Sequence, residues 1–132
     1  MTKLILLDAY AIIYRSYYAL LRTPRINSKG LNTSAIMGFC NTLHEVLTKE
    51  QPDYIGVAFD HGKTFRHEKY PGYKAQRQET PEDIKRSVPI IQDILGALRI
   101  PVLQKDGFEA DDVIGTLALK AGEAGVETYM LT

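Results

Sequence analysis

Apolar and polar positions follow two rhythms along this chain. Short continuous apolar runs at 3–8, 54–60, 100–104 and 127–132 have the length and the Val, Ile, Leu and aromatic content of buried strands. Between them, apolar residues recur every three or four positions, as on one face of a helix. Helices are therefore expected at 10–22, at 33–49, from Thr80 onward, and at 109–123. The second places Ile36, Phe39, Cys40, Leu43 and Leu47 on one face. The third does the same with Ile84, Val88, Ile91, Leu95 and Leu98, and Pro89 inside that pattern predicts a kink. Thr80 is expected to cap this helix, with Pro81 in its first turn and Asp83 completing a capping box. Residues 22–30 read as a loop from their Pro, Asn, Ser and Gly. Alternating strands and helices predict an α/β fold, with helices on both faces of a mostly parallel sheet. The last run stops at Thr132 without the loop and helix that normally follow such a strand, so the chain is expected to be part of a longer one.

Three of these apolar runs lead into acid. The first two finish on Asp8 and Asp60, and the third is followed after a short turn by Glu109-Ala-Asp-Asp112. In an open parallel sheet the strand C-termini share one edge, where Asp8, Asp60, Glu109, Asp111 and Asp112 would converge. Acids favour a helix's first turn because of its dipole, but this does not account for three separate elements ending in carboxylates. Carboxylates so crowded repel one another unless a cation lies among them. Hard oxygen donors partly open to water suit Mg²⁺ or Mn²⁺.

Charge changes the picture further. The 132 residues carry 16 Lys and Arg against 16 Asp and Glu, yet the signs are segregated. Residues 61–77 hold 5 basic against 1 acidic residue, and residues 78–132 hold 5 against 10. The middle segment interleaves Lys63, Arg66, Lys69, Lys74 and Arg77 with Phe65, Tyr70 and Tyr73. Such a pattern suits phosphates and unpaired bases, and it begins directly after Asp60. Arg15, one to two helical turns after Asp8, is a further candidate for the same edge.

Other chemistries find no support. A single cysteine, Cys40, forms no internal disulfide and lies on a core-facing position, which points to a reducing, cytoplasmic setting. His44, His61 and His67 have no ligand spacing. Gly62-Lys-Thr64 lacks the upstream glycine of a phosphate-binding loop. No apolar run approaches membrane-spanning length, so no membrane association is expected.

The motifs Leu-Leu-Asp8 with Tyr14-Arg15, Val57-Ala-Phe-Asp60, Thr64-Phe-Arg-His67, Tyr73-Lys-Ala-Gln-Arg77, Thr80-Pro-Glu-Asp83 and Glu109-Ala-Asp-Asp-Val-Ile-Gly115 occur in one order. In that order they resemble the 5′-nuclease (flap endonuclease) family, which includes the domain that opens bacterial DNA polymerase I. The resemblance implies a three-layer α/β/α fold and cleavage of DNA at 5′ flaps, nicks and duplex ends, in replication and repair. It implies Asp8, Asp60, Glu109, Asp111 and Asp112 as metal ligands or holders of metal-bound water, for two Mg²⁺ or Mn²⁺ ions in a complete domain. Lys74 would place positive charge near the scissile phosphate, Arg77 would bind phosphate, and Tyr73 would stack on a terminal base. Residues 1–132 would be the N-terminal part of that domain, without its second acidic half and its helix-hairpin-helix region. Ala9 stands where the family usually has glycine. Two rival readings remain open, a PIN-type ribonuclease and a nucleic-acid-binding fragment without catalysis. Pairing of two copies through an exposed edge strand is a further expectation.

Overall fold

The computed structural model describes residues 2–60, 80–105 and 108–132. Strand β1 (Lys3–Asp8) shows the alternation expected of a strand buried on both faces. Ile5 and Leu7 enter one core, while Leu6, with Leu4 beside it, enters the other. It pairs in parallel with β2 (Tyr54–Ala58) and with β4 (Glu127–Leu131), and β2 pairs in parallel with the two-residue β3 (Val102–Leu103). The strand order is β3-β2-β1-β4.

Helices α1 (Ala9–Ala19), α2 (Ser34–Glu45) and α3 (Glu82–Ala97) cover one face of this sheet. Their buried Ile12, Ile13, Phe39, Leu43, Ile84, Ile91 and Leu95 pack on Ile5, Leu7, Val57 and Phe59. Helix α4 (Ala110–Glu123) covers the other face through Ala110 and Ile114, against Leu6 and Ala58. The three-layer α/β/α architecture follows directly. Among the described residues, no helix is long and apolar enough to cross a membrane.

Several local expectations need correction. The second helix does not continue regularly to residue 49, because Val46–Glu50 forms a π-helical turn. This wider turn shifts the phase of the apolar face, and Leu47 is 37% exposed instead of buried. Leu98 lies past the end of α3 and is 55% exposed. Pro89, by contrast, lies inside that helix without ending it, as expected. The capping role expected of Thr80 belongs to Pro81, which has extended backbone angles (φ −53°, ψ 141°) and makes no side-chain cap bond. With the helix starting one residue later, Ile84 and not Asp83 occupies the third helical position, and proline has no N–H to offer, so no capping box forms there. Thr80 and Asp83 bond elsewhere: Tyr14 Oη donates to Thr80 Oγ1 at 3.0 Å, and Tyr17 Oη and Asn32 Nδ2 reach Asp83 Oδ2 at 3.4 Å each. The run 100–104 contributes only Val102 and Leu103 to the sheet. Burial pushes the Cys40 thiol above its ordinary range, consistent with an unreactive packing residue.

Helices α1 and α2 approach most closely at Gly38. A Cβ there would overlap Ser16 Cβ and Oγ and lie 3.3 Å from Ser16 Cα. Gly38→Ala is expected to destabilise the fold by about 1–3 kcal/mol, as overpacking of a tight contact does. Urea unfolding checks this, and adding Ser16→Gly should return part of the loss.

Candidate metal and nucleic-acid site

The strand register fixes the site. Asp8 is opposite Ala58 in the sheet, so Asp60, two residues further on, emerges beside it. Asp8 is both the last residue of β1 and the N-cap of α1, and its Oδ1 accepts from Ala11 N–H at 3.3 Å. With no loop between strand and helix, the carboxylate has little freedom. Ala9, the residue after it, is fully buried.

The third acidic element arrives with α4. Glu109 caps this helix and is only 8% exposed, and Asp112 Oδ2 accepts from Glu109 N–H at 3.0 Å in a capping box. Asp60 Oδ1 accepts from Ala110 N–H at 2.6 Å, joining the end of β2 to the start of α4. This bond brings Asp111 to the same edge. Burial raises the Asp8 carboxyl above the usual carboxylate range, against the pull of the Ala11 N–H. The negative charges of Asp111 and Asp60 raise it further. The structure thus brings Asp60 and Asp111 within electrostatic range of Asp8, with Glu109 and Asp112 at the adjoining helix start.

Each of Asp8, Asp60 and Asp112 has an oxygen engaged by a backbone N–H. Among the described residues, no three acidic, histidine or cysteine side chains are arranged to hold one ion between them. The donor chemistry nonetheless suits a hard divalent cation: every candidate is a carboxylate, and the crowding of negative charge is relieved by a positive one.

Two aromatic groups border the cluster that the sequence pattern did not single out. Tyr10 stands edge-on to Phe59, with ring centroids 6.0 Å apart, and the Asp60 charge adds to burial in raising its hydroxyl pKa. Its position two residues after a strand-end acid was the available signal. Arg15 donates from Nη2 to Thr132 O at 2.6 Å, bridging α1 to the end of β4 at the same sheet edge. Lys63, Phe65, Arg66, Lys69, Tyr70, Tyr73, Lys74 and Arg77 lie outside the described residues.

Comparison with known proteins agrees with this arrangement. Residues 3–132 match the family described as 5′-3′ exonuclease, N-terminal resolvase-like domain. DNA polymerase I of Treponema pallidum is 52% identical over 116 residues, covering 87% of this chain and 12% of that protein. DNA polymerase I of Geobacillus stearothermophilus is 45% identical over 132 residues, covering 98% of this chain and 15% of its own length. The chain therefore spans a small part of these relatives. A crystal structure of the bacteriophage T5 D15 flap endonuclease in a pseudo-enzyme-product complex with DNA and metal ions shares the fold. Its TM-score is 0.62 at 18% identity, over 97% of this chain and 47% of that one. By the match across nearly its whole length, the chain belongs to the family of 5′-3′ exonuclease N-terminal, resolvase-like domains.

Proposed function

We propose that this chain is the N-terminal part of a nuclease domain that hydrolyses DNA phosphodiesters at 5′ flaps and 5′ ends with divalent metal ions. The observation that carries this reading is the meeting of Asp8, Asp60 and Asp111, from three separate elements, at the C-terminal edge of the sheet. The T5 relative crystallised with DNA and metal ions supports it. Asp8, Asp60 and Asp111, with Glu109 and Asp112 behind them, would hold Mg²⁺ or Mn²⁺, two ions in a complete domain. Bound there, the metal supplies an activated water and neutralises charge on the phosphate.

The chain's own residues supply the rest. Ala11 N–H and Ala110 N–H fix the orientation of Asp8 and Asp60. Tyr10 and Phe59 form an apolar border beside Asp60. Lys74 would set positive charge by the scissile phosphate and Arg77 would bind phosphate. Arg15, Lys63, Phe65, Arg66, Lys69, Tyr70 and Tyr73 would hold DNA through phosphate contacts and base stacking. Reducing, cytoplasmic surroundings fit the single cysteine.

One observation favours the non-catalytic alternative for these 132 residues alone. Without three acids arranged around one point among the described residues, metal affinity is expected to be weak. The decisive assay is cleavage of a 5′-labelled flap duplex in Mn²⁺, with EDTA and Asp60→Ala controls. Cleavage abolished by both controls is the expected result. Failure of this chain and of a longer one that includes it would leave only a binding module.

Asp8→Asn separates stability from activity. A carboxyl whose pKa is higher folded than unfolded binds its proton more tightly in the native state. Its charge therefore costs stability above the folded pKa, and the cost disappears as pH falls through that value. Asparagine keeps the N-cap and drops the charge. In EDTA at neutral pH the variant should be more stable, by less than about 1 kcal/mol because solvent screens a half-exposed group. Cleavage should be lost. Thermal unfolding at pH 4 and pH 7.5 reads the first effect, with the gain shrinking at the lower pH.

Strand β4 is an edge strand without lysine, proline or bulge, and Tyr129 and Met130 are exposed on it. It borders a trough of about 500 Å³ whose lining combines Ile5, Val46 and Leu131 with the charged Glu45, Lys49 and Glu50. Self-pairing through this edge is expected at high concentration, and a monomer throughout a sedimentation series would rule it out.

A further inference from the structure

The five carboxylates of the acidic edge are not placed alike. Among the described residues, the carboxylates that act on Asp8 are Asp111, by charge and by hydrogen bonding, and Asp60, by charge. Asp112 is not one of them. Successive helical residues diverge by about 100° around the axis, so with Asp111 turned toward Asp8 its neighbour cannot face the same point. Asp112 is half-buried where Asp111 is exposed. Its Oδ2 accepts from Glu109 N–H at 3.0 Å, and Glu109, itself 8% exposed, is the other member of the capping box.

What the box secures is the first turn of α4. Reciprocal capping satisfies two donors that the helix start would otherwise leave without partners. Ala110, the first residue of the helix, lies between the two acids, and its N–H donates to Asp60 Oδ1 at 2.6 Å. Asp111 comes next in the same turn. Fixing the start of α4 therefore fixes both the donor that orients Asp60 and the backbone that carries Asp111.

We propose that Asp112 is a positioning residue of the acidic edge, holding Asp60 and Asp111 in place through the first turn of α4, and is not itself a ligand of the ion; this rests on the nuclease reading above. Groups behind a metal's ligands commonly set their orientation by hydrogen bonding in this way. Asp60 also gives one oxygen to a backbone N–H, but unlike Asp112 it acts on Asp8 as well. Turning Asp112 outward to reach an ion would open the box and release the turn that carries Asp111. The role asks only for an acceptor oxygen at this position, and a neutral amide supplies one.

The test measures Mn²⁺ binding by the chain and by its Asp112→Asn, Asp112→Ala and Asp111→Asn variants, from the electron paramagnetic resonance signal of the free ion. Both Asp112 variants lose the charge, but only asparagine keeps an oxygen for Glu109 N–H. Asp112→Asn should bind within about threefold of the parent, and Asp112→Ala and Asp111→Asn about tenfold or more weakly. Amide exchange at Glu109 and Ala110 should quicken in Asp112→Ala and stay as in the parent in Asp112→Asn. A merely structural role would lower the melting temperature of Asp112→Ala and leave its Mn²⁺ affinity unchanged, which overturns the proposal. Asp112→Asn binding as weakly as Asp111→Asn makes Asp112 a ligand and overturns it too. That comparison decides between acceptor and ligand even where Asp112→Ala does not fold. Each of these results leaves the nuclease reading intact. Absence of Mn²⁺ binding by the parent also removes the role, and cleavage alone then decides the nuclease reading.

Discussion

Holding several carboxylates at one edge of a sheet opposes folding, and the architecture is arranged around that repulsion. Asp8 caps α1 and Glu109 caps α4, so the positive ends of two helix dipoles point at the acidic edge. Backbone N–H groups of Ala11, Ala110 and Glu109 engage Asp8, Asp60 and Asp112 in turn. Burial, and after it the charges of Asp111 and Asp60, still hold the Asp8 carboxyl above its ordinary range, but these donors keep each carboxylate oriented. The direct passage from β1 to α1 belongs to the same solution. A flexible loop after Asp8 would let the charges move apart and would lose the geometry.

The polar contacts on the α1–α3 side serve a different purpose. Tyr14 to Thr80, and Tyr17 and Asn32 to Asp83, tie the start of α3 to α1 and to the hairpin before α2. Tyr10, Tyr14 and Tyr18 run along α1 at four-residue spacing, with ring centroids 6.5 and 6.3 Å apart between neighbours. The Tyr14 and Tyr17 hydroxyls are satisfied at the margin of the core while the rings pack, as amphipathic aromatics do where an apolar layer meets water. These contacts fix residues 80–83 against the helix that follows Asp8.

The sheet, its parallel character and the helices on both faces were legible because each rests on periodicity: Ile5 and Leu7 against Leu4 and Leu6, or Phe39 and Leu43 a turn apart. The acid-ended strands were legible because a strand's last residue lies at the sheet edge whatever its neighbours do. Features set by tertiary context were not. The π turn at Val46–Glu50 leaves no mark in apolar spacing: Leu47 follows Leu43 in phase along the sequence and leaves the buried face only in the fold. The Thr80 and Asp83 pattern resembled a capping box, but the helix is capped one residue later, at Pro81, which moves Asp83 out of the third helical position. The bond from Asp60 to Ala110 N–H joins residues 50 apart in sequence, which no local pattern announces. The hairpin at 22–33, closed by bonds such as those from Lys29 and Leu31 N–H to Asn27 Oδ1, was visible only as a loop, since its rigidity comes from bonds to backbone groups.

Net neutrality conceals a strongly dipolar charge arrangement, and this bears on how substrate and metal would act together. The stretch from Ala9 to His44 has no acid, while residues 78–132 hold ten acids against five basic residues. A nucleic acid reaching the acidic edge would bring its phosphates against carboxylates of like sign. On the reading proposed here, cations at that edge reduce the repulsion, and the arriving phosphates in turn add negative charge around the cations. By linkage, each raises the affinity of the other by the same factor. Acids that are not closed around one point among the described residues would then still suit an ion, since a substrate phosphate would bring further oxygen donors.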